Sequence, residues 1–526
     1  MALLVAALAG AAPEGSRAAG PGRTLQAHLD AEPATLDPVL TTDVSGFVVE
    51  DLLFTPLVGL DRELKAVPGL ARSWRLTDDG RTFEFDLDPA ATFDDGKTVT
   101  AADVRFTIER IRDPRVAALA RKADFEDLEA VEVLSPSAVR VRFSRPYSER
   151  LLAFNLPILP AHVFARGSAA EKSFGRKPIG NGPFRFVRWD PARSIVVERR
   201  AGRAGRAAGV DRVIFRVLPD PATRLNAGIR GELDEFRVSP QLLDRFRTDR
   251  RLTSRFRLLP VHRLAQTSIT WNCRHPSLSD RRTRRALGLA IPRRRIIDAL
   301  FGGRAREVSG PYPAGVPENA PDVAPLPHSP QRAEELLSQA GYRRVGTGRL
   351  AKEGRPLAFE LSIPSGHPIS RQIAEVLQQE YSRLGVRMGI QPLDWPTLSA
   401  RLDAGEFDAV LSETVFLPPN LDPYPAFHSS QVPPNGLNVG FYADPASDRL
   451  LEAARAAIEP NRRLRAYREV HRRLAEDQPQ AFLFTLDSVW AIQRDLAGVE
   501  TSPLGLSHFL PGRRAWKWAP RKKEPS

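Results

Sequence analysis

The feature that most limits the possible folds of this chain is an alternation of helical and strand patterns in its last third. An apolar stripe with helical spacing begins at about Ile369, and Gly385 marks the end of that helix. Val386, Met388 and Ile390 then alternate as the residues of a strand do. Helices that alternate with strands predict α/β lobes in which mixed sheets are flanked by helices.

The length of 526 residues indicates how many structural units to expect. A single hydrophobic core does not serve a chain of this size, so two or three domains are expected. Hydrophobic residues make up 42% and charged residues 26% of the chain, which excludes a fibrous or a disordered protein. The proline-rich stretch 310–330 predicts an extended connection that wraps over the surface.

The first residues resemble the apolar core of a secretory signal. Residues 1–12 are almost entirely Ala, Leu, Val and Gly, and Ala7-Leu8-Ala9 fits a small-x-small cleavage site, although no basic residue precedes them. The apolar run is too short to span a bilayer. We expect a signal-like segment and flexible lead over 1–23 and an exported, soluble protein of the periplasm or another extracytoplasmic space. An unprocessed cytoplasmic protein is the alternative.

The net charge of +13 raises the question of a nucleic-acid partner. The arginines are scattered and usually have an acidic residue close by, which is typical of a solvated surface. The denser clusters, 281–285 and 293–295, contain no aromatic residues on which bases could stack. We therefore expect a monomer without a nucleic-acid partner.

No motif in the sequence predicts catalysis or metal binding. His-Glu-x-x-His and Gly-x-Ser-x-Gly do not occur, Cys273 is the only cysteine, and the nine histidines are dispersed. The carboxylate pairs Asp78-Asp79 and Asp94-Asp95 lie in polar turns beside glycine, where we expect them to be solvated. We predict no catalytic residue, no metal site and no cofactor.

The remaining function class is ligand binding in a cleft between lobes. Two segments have residues that could form the walls of such a cleft. One is 393–396, where Trp395 could offer an apolar plate to a ligand or could instead belong to the core. The other is 416–424, which follows a predicted buried strand, Phe407 to Leu411. Ligand crevices form at the carboxyl ends of such strands.

Several segments of the chain, taken in order, resemble solute-binding protein family 5, the peptide-binding proteins of ABC transporters (oligopeptide, dipeptide, nickel and related binders). The resemblance extends from Thr24 to about Gly498, and Asn181 replaces a threonine of the family's Gly-Thr-Gly-Pro-Phe hinge. The matching segments are Leu36-Asp37-Pro38, Leu70 to Trp74, Asp79 to Phe85, Phe93 to Val104, Pro178 to Phe184, Gly231 to Asp234 and Glu406 to Ala409.

The resemblance implies a two-lobed periplasmic-binding-protein fold of the class with an extra inserted domain. Lobe I would be discontinuous, the inserted domain would follow its first segment, and lobe II would precede its last. The implied role is capture of a peptide in the cleft between the lobes and its delivery to the permease subunits of an ABC transporter in the inner membrane. The implied boundaries are 24–45, 179–265 and 489–526 for lobe I, 46–178 for the inserted domain and 266–488 for lobe II.

The resemblance also implies a set of ligand-binding residues. Backbone groups of residues 42–45 and 413–416 would pair with an extended ligand as an added strand does. Trp395 matches the family's cleft tryptophan, and Arg401 could serve a ligand carboxylate or be an ordinary solvated helix residue. The candidate residues are Asp43, Val44, Ser45, Trp395, Arg401, Glu413, Thr414, Val415, Phe416 and Asp422.

The chain departs from the family pattern at one informative place. Peptide binders of the family carry an aspartate in the loop after the 407–411 strand, where it pairs with the free amino terminus of the ligand. Here no aspartate aligns, and Glu413 and Asp422 lie at the two ends of the loop. A buried ammonium without a carboxylate partner costs several kcal/mol. A non-peptide solute, such as a metal chelate, an opine or a glycoside, is therefore the alternative ligand.

Two alternatives from other functional classes make different demands on the sequence. A hydrolase would need a nucleophile and a base together in the cleft. A cytoplasmic sensor would need an N-terminal helix-turn-helix.

Overall fold

The protein is described by a computed structural model. It covers residues 23–519 except for several short segments. Those segments are 78–79, 119–120, 148–149, 166, 203–204, 206–208, 262–263, 314–315, 347, 366–367, 416–420 and 435.

The first part of the chain begins with a strand and a helix. A four-stranded antiparallel sheet follows, in the order β4-β5-β7-β6. Apolar side chains of β5 alternate inward, and Phe85 contacts Phe154 with a ring-centroid distance of 4.6 Å. The elements are β1 (Thr24–Leu29), α1 (Val44–Leu53), β2 (Val58–Leu60), β3 (Ala66–Pro68), β4 (Ala71–Thr77), β5 (Thr82–Leu87), α2 (Ala101–Arg112), β6 (Leu128–Ser135), β7 (Ala138–Phe143), α3 (Arg150–Ala153), α4 (Ala161–Phe164) and α5 (Ser168–Phe174).

The next part returns to β1 and completes a second four-stranded sheet, in the order β1-β10-β9-β8. Strand β1 is parallel to β10, with Thr24 opposite Arg212 and Leu29 opposite Val217. The elements are β8 (Phe184–Asp190), β9 (Ser194–Arg199), β10 (Arg212–Val217), α6 (Pro221–Arg230), β11 (Glu235–Val238), α7 (Leu243–Thr248), α8 (Arg250–Arg255) and β12 (Phe256–Val261).

The third part forms a separate core around a mixed six-stranded sheet, in the order β14-β21-β13-β20-β18-β19. The elements are β13 (Ala265–Trp271), α9 (Arg281–Leu289), α10 (Arg293–Phe301), β14 (Ala305–Glu307), α11 (Pro330–Gln339), β15 (Arg343–Val345), β16 (Arg349–Lys352), β17 (Arg355–Pro356), β18 (Ala358–Pro364), α12 (Pro368–Leu384), β19 (Arg387–Leu393), α13 (Trp395–Ala404), β20 (Ala409–Val415), α14 (Tyr424–Phe427), α15 (Pro445–Ala456), α16 (Pro460–Asp477) and β21 (Gln480–Leu486).

The chain then leaves this core and returns to the first one. Its last strands are β22 (Ser488–Gln493), β23 (Leu496–Ala497) and β24 (Lys517–Trp518). Strand β22 lies between β11 and β12 and is antiparallel to both. Two short connections, from β12 to β13 and from β21 to β22, therefore join the cores side by side. Paired connections of this kind are suited to a hinge.

Most of the predicted elements are present, with ends shifted by local chemistry. The alternation over the last third gives α12, β19, α13 and β20 in that order, which confirms mixed sheets flanked by helices. Helix α2 begins with a capping box, in which Asp103 accepts hydrogen bonds of 2.8 Å from both the backbone N–H and the hydroxyl of Thr100. Helix α13 begins at Trp395 because Asp394 provides its N-cap.

Glu50 in α1 predicts a pH dependence of stability. Burial raises the pKa of its carboxyl from the ordinary 4.5 to about 8, although a hydrogen bond from Thr41 opposes the shift. The folded protein keeps this proton up to about pH 8, whereas the unfolded chain releases it near pH 4.5. The free energy of unfolding therefore falls as pH rises between these values.

We expect Glu50→Gln to weaken this pH dependence, because glutamine cannot ionise. The measurement is urea unfolding of both proteins at intervals from pH 5 to pH 8. Equal slopes of stability against pH for the two proteins would contradict the assignment.

Candidate functional site

A cavity of about 750 Å³, including its open mouth, lies where the two cores are joined. It is bordered by the end of β1, the start of α1, strands β11 and β22, the β12–β13 connection and the segment 503–508. Trp490, Val48 and Leu264 provide apolar walls, and His28, Arg237 and Ser507 provide polar ones. We refer to this space as the hinge cavity.

Asp30 directly follows β1, and positively charged side chains surround its carboxylate. Its Oδ2 is 2.8 Å from Nη2 of Arg237, and its Oδ1 accepts a hydrogen bond from Arg224. Burial alone would raise the pKa of the Asp30 carboxyl, but the charge of Arg237, together with His28 and Arg224, holds that pKa well below its ordinary value. Asp30 is therefore ionised at neutral pH, and both of its oxygens are engaged.

A second ion pair lies deeper beneath the hinge cavity. Nη2 of Arg513 is 3.0 Å from Oε1 of Glu235, and both side chains are buried. The guanidinium carbon of Arg513 is 5.7 Å from the ring centroid of Trp490 and 5.2 Å from that of Trp516. This aromatic enclosure and the ion pair with Glu235 fix the position of Arg513, which is one of the residues that line the cavity.

Two of the predicted ligand-binding residues, Val44 and Ser45, line the hinge cavity. Their predicted mode of binding is wrong, because both already belong to α1 and helical backbone cannot pair as a strand. The helix starts this early because the Asp43 carboxylate accepts a hydrogen bond of 2.8 Å from the backbone N–H of Gly46. Asp43 itself has extended backbone and acts as the N-cap.

The prediction that Glu413, Thr414 and Val415 form a loop is also wrong. All three lie in β20, which runs from Ala409 to Val415 and pairs with the whole of β13. The predicted strand, 407–411, was placed too early because the polar residues after Leu411 conceal the strand from a reading of hydrophobicity. Phe416 and the side chain of Val415 lie outside the described residues.

Strand β20 pairs with β13 along its whole length and extends past the end of its pairing with β18. On the β18 side, the pairing ends at Ser362 and Val410. Among the described strands, residues 412–415 pair only with β13. Ala265 pairs with Val415, and the preceding residue, Leu264, lines the hinge cavity. The end of β20 therefore lies beside the cavity and extends past the end of its ladder with β18.

Trp395 is exposed, which excludes the core alternative for this residue. Its relative exposure is 63%, and it is the first residue of α13. On the same helix, Nη1 of Arg401 donates a hydrogen bond of 3.1 Å to Oε1 of Gln391 in β19. This contact orients Arg401 along the sheet and leaves its role towards a ligand carboxylate as a prediction.

Asp422 is not available to a ligand ammonium. Its side chain is 1% exposed and accepts hydrogen bonds of 2.7 Å from Nε of Arg455 and 3.0 Å from the Tyr147 hydroxyl. The guanidinium carbon of Arg455 is 4.6 Å from the ring centroid of Tyr147 and 4.0 Å from that of Tyr424. Because Tyr147 follows β7 and Asp422 follows β20, this cluster joins the first part of the chain to the third.

No metal centre or membrane span is found in the described part of the chain. Those residues contain no cluster of three or more His, Cys, Asp or Glu side chains that could hold a metal ion. None of the helices searched there has both the length and the apolar character needed to cross a membrane.

Comparison with known proteins then decides the family. Residues 65–435 match the bacterial extracellular solute-binding proteins, family 5 (Middle), which is more than half of the chain. The chain belongs to this family. The predicted membership is confirmed, and so is the prediction that the protein is not an enzyme, because the family binds solutes.

Individual members of the family support this assignment over nearly the full length. The oligopeptide-binding protein AppA of Bacillus subtilis is 27% identical over 496 residues, which cover 90% of this chain and 88% of AppA. The structure of AppA in complex with a nonapeptide has a TM-score of 0.84 and 25% identity, and covers 95% of this chain and 100% of AppA.

The structure of NikZ from Campylobacter jejuni in complex with Ni(L-His) has a TM-score of 0.82 and 26% identity, and covers 94% of this chain and 99% of NikZ. The predicted periplasmic-binding-protein fold is thus confirmed.

The sequence analysis of this family 5 protein missed most of the hinge cavity. Trp490, Ser507, His508 and Arg513 come from the last forty residues, whereas His28 comes from the first strand. No motif links these positions, because they meet only when β22 inserts between β11 and β12. The one signal in the sequence was a histidine next to the apolar residues Ala27 and Leu29 of β1.

We expect Trp395→Ala to leave the melting temperature nearly unchanged and to weaken ligand binding about tenfold or more, because most of the ring is exposed and is predicted to contact the ligand. The measurement is thermal unfolding together with calorimetric titration of a ligand found by screening. Leu76→Ala, which removes an exposed apolar side chain from β4, is the matched control and should change neither quantity. An equal loss of stability and affinity in Trp395→Ala would contradict the role.

We expect Asp422→Asn to lower the free energy of unfolding by about 3–5 kcal/mol, because it leaves the buried Arg455 without a counter-ion. Tyr147→Phe removes one hydrogen bond to the same carboxylate and should cost about 1 kcal/mol. Urea unfolding measures both. A loss in Asp422→Asn no larger than that in Tyr147→Phe would show that the ion pair is not the stabilising element.

Proposed function

We propose that this family 5 protein captures a peptide in the cleft between its two cores and delivers it to the permease subunits of an ABC transporter. The single observation that carries the proposal is that β20 extends past the end of its ladder with β18 and ends beside the hinge cavity. An extended peptide can add to the edge of such a strand, and main-chain hydrogen bonds then provide affinity without dependence on side-chain identity.

The arrangement of the two cores suits capture by closure. The chain passes between the cores after β12 and again after β21, and Val261 pairs with Ser488 beside these two passages. The Tyr147–Asp422 contact lies between parts of the chain that a hinge would separate. We retain the division into lobe I, inserted domain and lobe II as part of the proposal. The six-stranded sheet, which uses only strands between Ala265 and Leu486, supports it.

A second candidate is a non-peptide solute bound in the same cleft. The observation in its favour is that Asp422 is engaged by Arg455, so the described residues at this place offer no free carboxylate to a peptide ammonium. NikZ, a structural relative, is described in complex with Ni(L-His). A metal chelate, an opine or a glycoside therefore stays open as the ligand.

The cellular setting belongs to the same proposal. The family is described as extracellular, and the apolar residues 1–12 have the character of a secretory signal. We propose export to the periplasm or another extracytoplasmic space, action as a monomer, and no nucleic-acid partner.

The test is a thermal-shift screen of the purified protein against di- to pentapeptides, their amino-blocked forms, nickel chelates and sugars. A ligand at 100 times its Kd should add about 2.7 kcal/mol of stability. Peptides should raise the melting temperature and should not be cleaved, as mass spectrometry of the mixture would show. Shifts with chelates or sugars alone would contradict peptide capture, and turnover of any ligand would contradict a purely binding role.

A further inference from the structure

The two cores also meet through side chains that do not line the hinge cavity. The first core draws its residues from 25–261 and 492–516, and the second draws its residues from 269–484. The Tyr147 hydroxyl donates a hydrogen bond of 3.0 Å to Oδ2 of Asp422 across the boundary between them. The Tyr147–Asp422–Arg455 cluster is therefore a point of attachment separate from the two chain connections.

Each core brings its own ion pair to this cluster. In the first, Nη2 of Arg150 is 3.1 Å from Oδ2 of Asp127, and in the second, Nε of Arg455 is 2.7 Å from Oδ2 of Asp422. The Tyr147 ring contacts both cations, since its centroid is 4.9 Å from the guanidinium carbon of Arg150 and 4.6 Å from that of Arg455. If the cores part, both cations keep their carboxylates, so opening does not leave an unpaired buried charge.

A small apolar contact crosses the same boundary. Gly80 has a φ of 90°, and a Cβ atom built on it would lie 2.8 Å from Cδ1 of Ile458 and 3.7 Å from Cβ of Pro146. The Ile458 side chain, which is 42% exposed, thus rests on bare backbone of the other part of the chain. It gains buried apolar surface there only while the two cores are together.

We propose that Tyr147, Asp422, Arg455 and Ile458 form a latch that holds the two cores closed, with no solute required, and that must open to admit or release solute. This inference rests on the proposed function, because the latch controls access to the proposed cleft. The contacts suit a reversible device, since they consist of one hydrogen bond, one cation–π contact and one aliphatic side chain.

The second core keeps its half of the latch prepared. Arg455 pairs with Asp422, and its guanidinium carbon is 4.0 Å from the ring centroid of Tyr424, so neither contact depends on Tyr147. A receptacle that is already ordered loses little conformational freedom when a partner enters it. The hydroxyl and the ring of Tyr147 are therefore the removable part of the latch, and they can be removed one at a time by substitution.

Single-molecule energy transfer between dyes on the two cores tests the proposal. The dyes are attached at Leu134→Cys in β6 and Val345→Cys in β15, two exposed positions, after Cys273→Ser removes the native thiol. The measurement is the ratio of open to closed molecules with no solute added. Its outcome therefore does not depend on which solute the protein binds, and a failed solute screen would count against the proposed function alone.

We expect Tyr147→Phe, which removes the hydrogen bond and keeps the ring, to raise the ratio of open to closed molecules about fivefold. Tyr147→Leu also removes the cation–π contact and should raise this ratio about tenfold or more. Ile458→Ser should raise it as well, because serine loses the apolar contact with Gly80.

Tyr381→Phe is the matched control. The Tyr381 hydroxyl donates a hydrogen bond of 3.2 Å to the backbone oxygen of Leu287 inside the second core, so its loss should leave the ratio unchanged. The melting temperature of each variant shows that it is folded, and the conservative Tyr147→Phe keeps the test valid if Tyr147→Leu does not fold. An unchanged ratio in Tyr147→Phe, or an equal rise in Tyr381→Phe, would overturn the inference.

Discussion

The two-lobed arrangement depends on the pairing of β22 with β11 and β12. The strand follows directly on β21 of the six-stranded sheet, so its insertion ties the end of the second core to the first. It also places Trp490 and the segment 503–508 over the end of β1. Without this return, the two cores would be joined by one connection, and the hinge cavity would have no wall on that side.

The electrostatics of the cavity follow from the same return. Arg513 meets Glu235 of β11 only because the C-terminal segment folds back across the sheet, and Asp30 meets Arg237 because β1 and β11 end close together. These pairs hold the charged groups around the cavity in place. The Tyr147–Asp422–Arg455 cluster, in which the carboxylate is fully engaged, has a structural role.

The sequence predicted the local elements well because their patterns depend on near neighbours. The helical stripe of α12 and the alternation of Val386, Met388 and Ile390, which becomes β19, were both evident from spacing. Strand ends were less predictable, because β20 is extended to Val415 by its pairing with β13 and not by its own hydrophobicity.

The site was the least predictable part. Trp395 is exposed, and its role towards a ligand stays a prediction. Asp422 is paired with Arg455, and Arg513 and His28 meet only through the tertiary fold. A crystal structure of the protein with the tightest ligand from screening tests the central claim most directly. The account predicts an extended ligand that lies along residues 412–415, beside the hinge cavity. A ligand bound elsewhere would contradict it.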